Sequence, residues 1–249
     1  MSDRIVFGIR PVDELVRARP RDVSVVYVAD GTRSPELERV VQTAKERGVW
    51  IEYRPRRLVA ELAGEGVHQG ILAVTGAYRY VTVNDLLNAA KQAGEAPLLV
   101  LLDGITDPHN LGAIVRSAEV LGAHGVVIPT RGSASVTAGA VKASAGATER
   151  VRIAEALNLL KAIDGLREAG VRVLGAGAGS GGRLDQVDLR GPTALVVGAE
   201  GKGMREAVAR RCDGLFHIPQ RGEVSSLNAS VAAAIALYEA ARQRQPQPQ

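Results

Sequence analysis

The sequence predicts an α/β protein made of two consecutive units, a small one over residues 1–76 and a larger one over 97–245, joined by a linker at 77–96. Three observations carry this. Short β-branched or apolar runs alternate with segments of helical periodicity along most of the chain, the pattern of layered sheet-and-helix units. In the second half the runs at 98–102 and 193–197 are continuously apolar, as strands buried on both faces of a parallel sheet are. Between them and the first half the texture changes, from GAYRY at 76–80 to GEAP at 94–97.

The elements follow in order. A short helix is expected at 12–19 and a β-branched strand at 23–28. Residues 35–47 have helical periodicity and stop at Gly48, a C-cap residue. A strand at 49–53, a short helix at 58–63 and a strand at 71–75 complete the first unit. The linker holds a helix at 83–93. The second unit opens with strand 98–102, helix 111–121 and strand 126–129. A Gly/Ser/Ala-rich stretch at 131–148 reads as a loop with a short helix. Strand 151–153, helix 156–169, strand 171–174, strand 193–197, short helix 204–210 and strand 215–218 lead to a final helix at 227–242. Pro246 and Pro248, spaced by glutamines, suit a disordered tail.

Composition narrows the class. With 46% hydrophobic residues a sizeable core is possible, and with 3% aromatics aliphatic side chains must fill it. The longest apolar run, 231–238, falls far short of the roughly 20 residues a membrane span needs. The start lacks the basic, apolar and small-residue succession of a signal peptide. Cys212 is the single cysteine and the four histidines are scattered, so neither a disulfide nor a metal site is expected. A soluble cytoplasmic setting is the expectation. The net charge of +4 leans weakly toward a polyanion. Arginines cluster at Arg17, Arg19 and Arg21 and at Arg54, Arg56 and Arg57; most such runs are solvated faces.

The strand at 171–174 runs into Gly175, Gly177, Gly179, Gly181 and Gly182, which resembles a dinucleotide fingerprint. That motif requires a helix starting at its last glycine, so that amides and dipole meet phosphate. Here the following ten residues are poorly periodic and end in Gly191 and Pro192. A loop bordering a pocket is the better expectation, and a nicotinamide-dependent enzyme is the weakest rival.

Three blocks lie where strands end. In the first, Asp107 and Pro108 make a tight turn, Asn110 is a plausible N-cap, and Arg116 falls in the second helical turn. In the second, Gly198, Gly201 and Gly203 flank Glu200, an acid able to accept hydrogen bonds from hydroxyls or amines. In the third, Ser225 or Ser226 caps a last helix so rich in Ala and Ser that another backbone can approach closely. Singly, each has a plain structural reading: a capped amphipathic helix with one surface arginine, a glycine turn with an exposed charge, a good helix former.

Together, the strings NLGAIVRSAEVLG, LVVGAEGKGM and IPQRGEVSSLNASVAAAIALYEA, with KASAGA at 142–147 between the first two, resemble the SpoU/TrmH branch of the SPOUT superfamily. The resemblance implies an S-adenosylmethionine-dependent RNA ribose 2′-O-methyltransferase with a deep trefoil knot. It also implies a homodimer whose site both subunits form. FGIRPV at 7–12 and HQGI at 68–71 resemble the L30e-like RNA-binding domain of enzymes that methylate a guanosine in 23S ribosomal RNA. Arg10 departs from the histidine usual there. By this resemblance Gly198, Glu200, Gly201, Ile218 and Leu227 surround the cofactor. Arg116 is the catalytic arginine, with Asn110, Glu200, Ser226 and Asn228 shaping the site. The arginines of the first unit, Arg17, Arg19, Arg54, Arg56 or Arg57, would contact RNA. The rivals are a tRNA ribose 2′-O-methyltransferase of the same fold, a self-resistance enzyme acting on ribosomal RNA, and a catalytically silent RNA-binding protein. Intact Arg116, Glu200 and Asn228 weigh against the last.

Overall fold

The structure, a computed structural model, describes residues 4–64, 67–177, 181–222 and 226–245. Its first unit runs β1 (Arg4–Phe7), α1 (Ile9–Ala18), β2 (Val23–Ala29), α2 (Pro35–Glu46), β3 (Ile51–Arg54), α3 (Arg56–Ala63) and β4 (Ile71–Thr75). The strand order is β1-β4-β2-β3, with β2 and β3 parallel and β4 antiparallel to both its neighbours. Strand alternation sends Val26 and Val28 to the face under α1 and α2, against Leu15, Val16, Leu37 and Val40. Phe7, Ala29 and Leu72 face the other way, against Val59 and Ala63 of α3. Ser34 starts α2 by accepting the Leu37 amide at 3.1 Å, ahead of Pro35. Beyond its end, Gly48 takes φ +70°, as the stop signal predicts. Within this unit the edge strand β1 is the strand the sequence pattern does not single out.

The segment expected as a linker is itself packed. Thr82 and Asp85 form a capping box at the start of α4 (Val83–Ala93). Leu86 is fully buried in the second unit's core, and Val81 bridges to Ala154. From Val81 onward the expected linker packs on the second unit, while Tyr78 and Arg79 before it meet Arg19 and Asp22 of the first.

The second unit contains β5 (Leu98–Asp103), α5 (Pro108–Val120), β6 (Gly125–Pro129), α6 (Ala138–Ala143), β7 (Ile153–Ala156), α7 (Leu159–Glu168) and β8 (Arg172–Ala176). There follow β9 (Gly182–Arg183), β10 (Thr193–Gly198), α8 (Glu206–Ala209), β11 (Gly214–His217) and α9 (Ala229–Arg244). The seven strands pair in parallel in the order β7-β6-β5-β10-β8-β11-β9. Every residue of β5 is buried, as its continuous apolar run predicts. Leu98, Val100 and Leu102 pack toward Leu111, Ile114, Ala233 and Leu237 of α5 and α9. Leu99, Leu101 and Val196 pack oppositely, toward Leu86, Ile163 and Val208. The strand expected at 151–153 starts at Ile153, and its helix starts at Leu159, where Asn158 accepts the Leu160 and Lys161 amides. Among the described residues no helix is long and apolar enough to cross a membrane.

β10 enters the sheet late, between β5 and β8. That placement brings together the carboxyl ends of strands drawn from residues 98–217, where a parallel sheet opens its ligand crevice.

Candidate functional site

The crevice is shaped first by the turn after β10. Ala199 and Gly203 exchange backbone hydrogen bonds of 3.0 and 2.7 Å, closing a tight loop in which Gly201 and Gly203 take φ +75° and +67°. The loop is held down by Asp103, the last residue of β5, whose side chain is wholly buried. Its carboxylate accepts the Arg205 amide and Nε, both at 2.7 Å. Sequence reasoning missed this pair; an acid ending the apolar run LLVLLD was the available signal. Gly198 sits opposite Asp103 in register. A Cβ on Gly198 would lie 2.2 Å from both the Gly203 carbonyl carbon and the Met204 nitrogen, which are backbone atoms that cannot rotate away.

Gly198→Ala is therefore expected to destabilise the fold by about 1–3 kcal/mol, the usual cost of overpacking. For a chain of this size that lowers Tm by roughly 2–4 °C per kcal/mol in calorimetry. An unchanged Tm would mean that the loop moves aside freely.

Between this loop, the end of β11 and the start of α9 lies an open cavity of about 140 Å³. Gly198, Glu200, Gly201, Ile218 and Leu227, the five residues expected around a cofactor, all line it, and so does Ser226. Ala176 and Gly177 also line it, so the glycine-rich stretch after β8 borders the pocket. No helix starts at its last glycine; β9 and a 3-10 turn at Leu184–Gln186 follow instead. Residues 178–180 of that stretch lie outside those described.

Three predicted polar residues meet at the cavity's edge. The Asn228 Nδ2 donates to Asn110 Oδ1 at 3.0 Å and to Glu200 Oε2 at 3.3 Å. Its Oδ1 accepts the Ser230 and Val231 amides at 2.8 and 3.4 Å, so Asn228 is the N-cap of α9. The cap expected at Ser226 is thus two residues later, and Ser225 lies outside the described residues. The other cap moves too. Asp107 accepts the His109 amide at 2.9 Å and starts α5, which leaves the Asn110 side chain inside the first turn and free to reach Asn228.

Arg116 is not in this cluster. It is exposed on α5, about 120° around the helix from Asn110, and makes no hydrogen bond or ion pair among the described residues. It stands one turn from Ala113, at the border of an apolar groove between α5 and α9. Ala113, Ser117, Val231, Ala234, Ile235 and Tyr238 line that groove. Of the arginines expected to meet RNA, Arg19 is already committed: it pairs with Glu149 of the second unit and lies 5.0 Å over the Tyr78 ring. Arg17 is tied to Asp13, Arg54 to Glu52 and Arg57 to Glu61, all on the surface. Among the described residues no cluster of His, Cys, Asp or Glu has metal-binding geometry.

Comparison with known proteins places this geometry. A family model described as "SpoU rRNA Methylase family" matches residues 97–238, and one described as "RNA 2'-O ribose methyltransferase substrate binding" matches residues 5–81. A putative TrmH family tRNA/rRNA methyltransferase, YacO of Bacillus subtilis, is 39% identical over 241 residues, covering 97% of this chain and 96% of that protein. Among solved structures, AviRb of Streptomyces viridochromogenes, a SpoU methyltransferase in complex with AdoMet, superposes with TM-score 0.80 at 26% identity, over 97% of this chain and 90% of that one. An AdoMet-bound rRNA methyltransferase of Sinorhizobium meliloti gives TM-score 0.80 at 25% identity, over 96% and 87%.

Proposed function

The chain belongs to the SpoU rRNA methylase family, an RNA methyltransferase using S-adenosylmethionine, and from that premise we propose that it methylates the ribose 2′-hydroxyl of a guanosine in 23S ribosomal RNA. The observation that carries the reading is the glycine-walled cavity whose rim joins Asn110, Glu200 and Asn228.

The residues present fit the cofactor. The lining of glycines, Ile218 and Leu227 offers main-chain amides and carbonyls beside apolar side chains, the donor set that reads an adenine edge. A Cβ at Gly201 would meet no atom of the described residues within 4 Å, so among these the turn leaves that wall open to a ligand. Bound there, S-adenosylmethionine supplies a methyl group on a positively charged sulfur. The chain's own contribution is positioning, which in the best cases supplies roughly 7–11 kcal/mol. The Asn228 bridge fixes Glu200 relative to the start of α5. The Arg116 guanidinium holds an RNA phosphate and stabilises the 2′-oxygen as that oxygen passes its proton to water and takes the methyl group, the electron pair of the broken S–C bond staying on sulfur. A trefoil knot and a homodimer are part of the same reading. The apolar groove between α5 and α9, with Val231 45% and Tyr238 60% exposed, suits a second copy, which would bring Arg116 against a cavity rim. A monomer in sedimentation at micromolar concentration would refute the dimer.

The test is a map of 2′-O-methylation in RNA from a strain lacking the gene. One 23S guanosine should lose its methyl group and regain it on complementation. Loss from tRNA instead would replace the ribosomal target, and no change in either RNA would refute the ribose assignment.

A further inference from the structure

Aromatic residues are scarce here: one Trp, five Tyr and two Phe in 249 residues. Phe7 and Phe216 are buried. Tyr78 and Tyr80 pack edge to face at 4.9 Å in the joint between the units, and Tyr238 lies on the α5/α9 groove. The other three lie on β2 and at the edge strand β3, where Trp50 and Tyr53 are 66% and 58% exposed. Trp50 stands exposed near Leu58 and Leu62, which are also exposed, and a contiguous apolar patch of this kind marks an interaction site.

Tyr27 and Trp50 share one face of the sheet. The Trp50 indole Nε1 donates to Glu52 at 2.9 Å, and Glu52 stands opposite Tyr27 in register. Arg54, two residues on, pairs with Glu52 and sets its guanidinium 5.7 Å above the Tyr27 ring. α3 covers only part of this face. Its Val59 and Ala63 are buried, while Leu58 and Leu62 stay 42% and 39% exposed and wall an open pocket of about 440 Å³ over Tyr27 and Arg54. Arg56 and Arg57, both exposed, begin α3 beside it.

We propose that this strip is a stacking platform for unpaired nucleobases of the substrate RNA, with Trp50 and Tyr27 as the stacking rings and Arg54, Arg56 and Arg57 on the phosphates. The inference rests on the RNA-methyltransferase reading above and locates its RNA contact. Every base has a π face, so aromatic rings flanked by arginine hold single strands with little regard to sequence. Arginine also stacks on bases and binds phosphate with two parallel hydrogen bonds. The same three arginines argue against a second copy pairing along β3, which would set like charges against one another. Glu52 takes the indole N–H and so orients the Trp50 ring.

Trp50 is the single tryptophan, so its emission reports on this surface alone. The full chain is titrated with a single-stranded oligouridylate of about ten nucleotides, a length within OB-type site sizes. Saturable quenching of Trp50 is expected. Trp50→Leu and Tyr27→Leu should each weaken binding of the labelled oligouridylate by about 5- to 150-fold, the worth of one base–aromatic stack. Tm and S-adenosylmethionine affinity should be unchanged in the variant with the exposed position, Trp50→Leu. Because stacking tolerates any base, failure of oligouridylate to quench Trp50 overturns the platform, as does emission that varies with protein concentration in the absence of RNA, the sign of a second copy on the strip. Methyl transfer to ribosomal RNA, measured in parallel, separates the two claims. Transfer without quenching removes the platform and keeps the enzyme, whereas loss of both removes both.

Discussion

Arg116→Ala is expected to lower single-turnover methyl transfer by about 10²- to 10³-fold, as removal of one donor to a developing oxyanion does, while S-adenosylmethionine affinity in calorimetry stays as in the parent chain. The split follows from position. The five residues expected around the cofactor line the cavity and Arg116 does not. It is an exposed cation without a hydrogen-bond or ion-pair partner among the described residues, placed at the border of an apolar groove. Removing it therefore takes no support from the fold or from the cofactor wall. Arg116→Lys keeps the charge but loses the planar fork that matches phosphate geometry, so it should recover only part of the rate. Near-normal turnover by the alanine variant would take the catalytic role away from this residue.

The contrast between Arg116 and the Asn110, Glu200 and Asn228 cluster shows what a sequence discloses. Apart from β1 and the two-residue β9, the strands and helices are legible to within a few residues, because periodicity and continuous apolar runs are local signals. The block positions at strand ends were legible too. What was not legible is that Asn228 touches both Asn110 and Glu200, residues 118 and 28 positions away. That contact depends on β10 inserting between β5 and β8, a choice of strand order that no local pattern encodes. The cap assignments failed for a related reason. Asp107 and Asn110 are both good caps by type, and so are Ser226 and Asn228. In each pair geometry selects one, and Asn228 both caps α9 and carries the bridge. β1 escaped notice because four residues with an arginine at one end give too short an alternation to separate from a loop. Arg19 looked like a surface cation because its partner, Glu149, is 130 residues distant.

That distant partner carries the second large effect. Glu149→Ala is expected to destabilise the protein by about 3–5 kcal/mol, as removing one member of a buried ion cluster does. The Glu149 side chain is fully buried between the units. Its carboxylate accepts from both terminal nitrogens of Arg4, at 3.0 and 3.3 Å, and from Arg19. Tyr78 lies under both guanidiniums, 5.2 Å from Arg4 and 5.0 Å from Arg19. Burial pushes the Tyr78 hydroxyl up to about 12, so it stays protonated and donates to the Thr148 carbonyl at 2.9 Å. The Nε atoms of Arg4 and Arg19 are buried without a partner, so the cluster is held by the carboxylate and the ring together. Without Glu149, two guanidiniums lose their counter-charge in a joint where the Arg4 side chain is 9% and the Arg19 side chain 24% exposed. The joint is otherwise close-packed: a Cβ at Gly146 would lie 2.8 Å from the Glu14 side chain of α1. Relief is then expected from the units moving apart. Two measurements check this. Chemical denaturation of Glu149→Ala should show the loss in stability, with the first unit separating before the second. Small-angle scattering should show a larger radius of gyration than the parent chain. Glu149→Gln, which keeps two acceptor or donor positions but no charge, should fall between. A parent-like denaturation midpoint for Glu149→Ala would mean that water or neighbouring backbone already satisfies the two guanidiniums, and that the first unit is held by its apolar contacts alone.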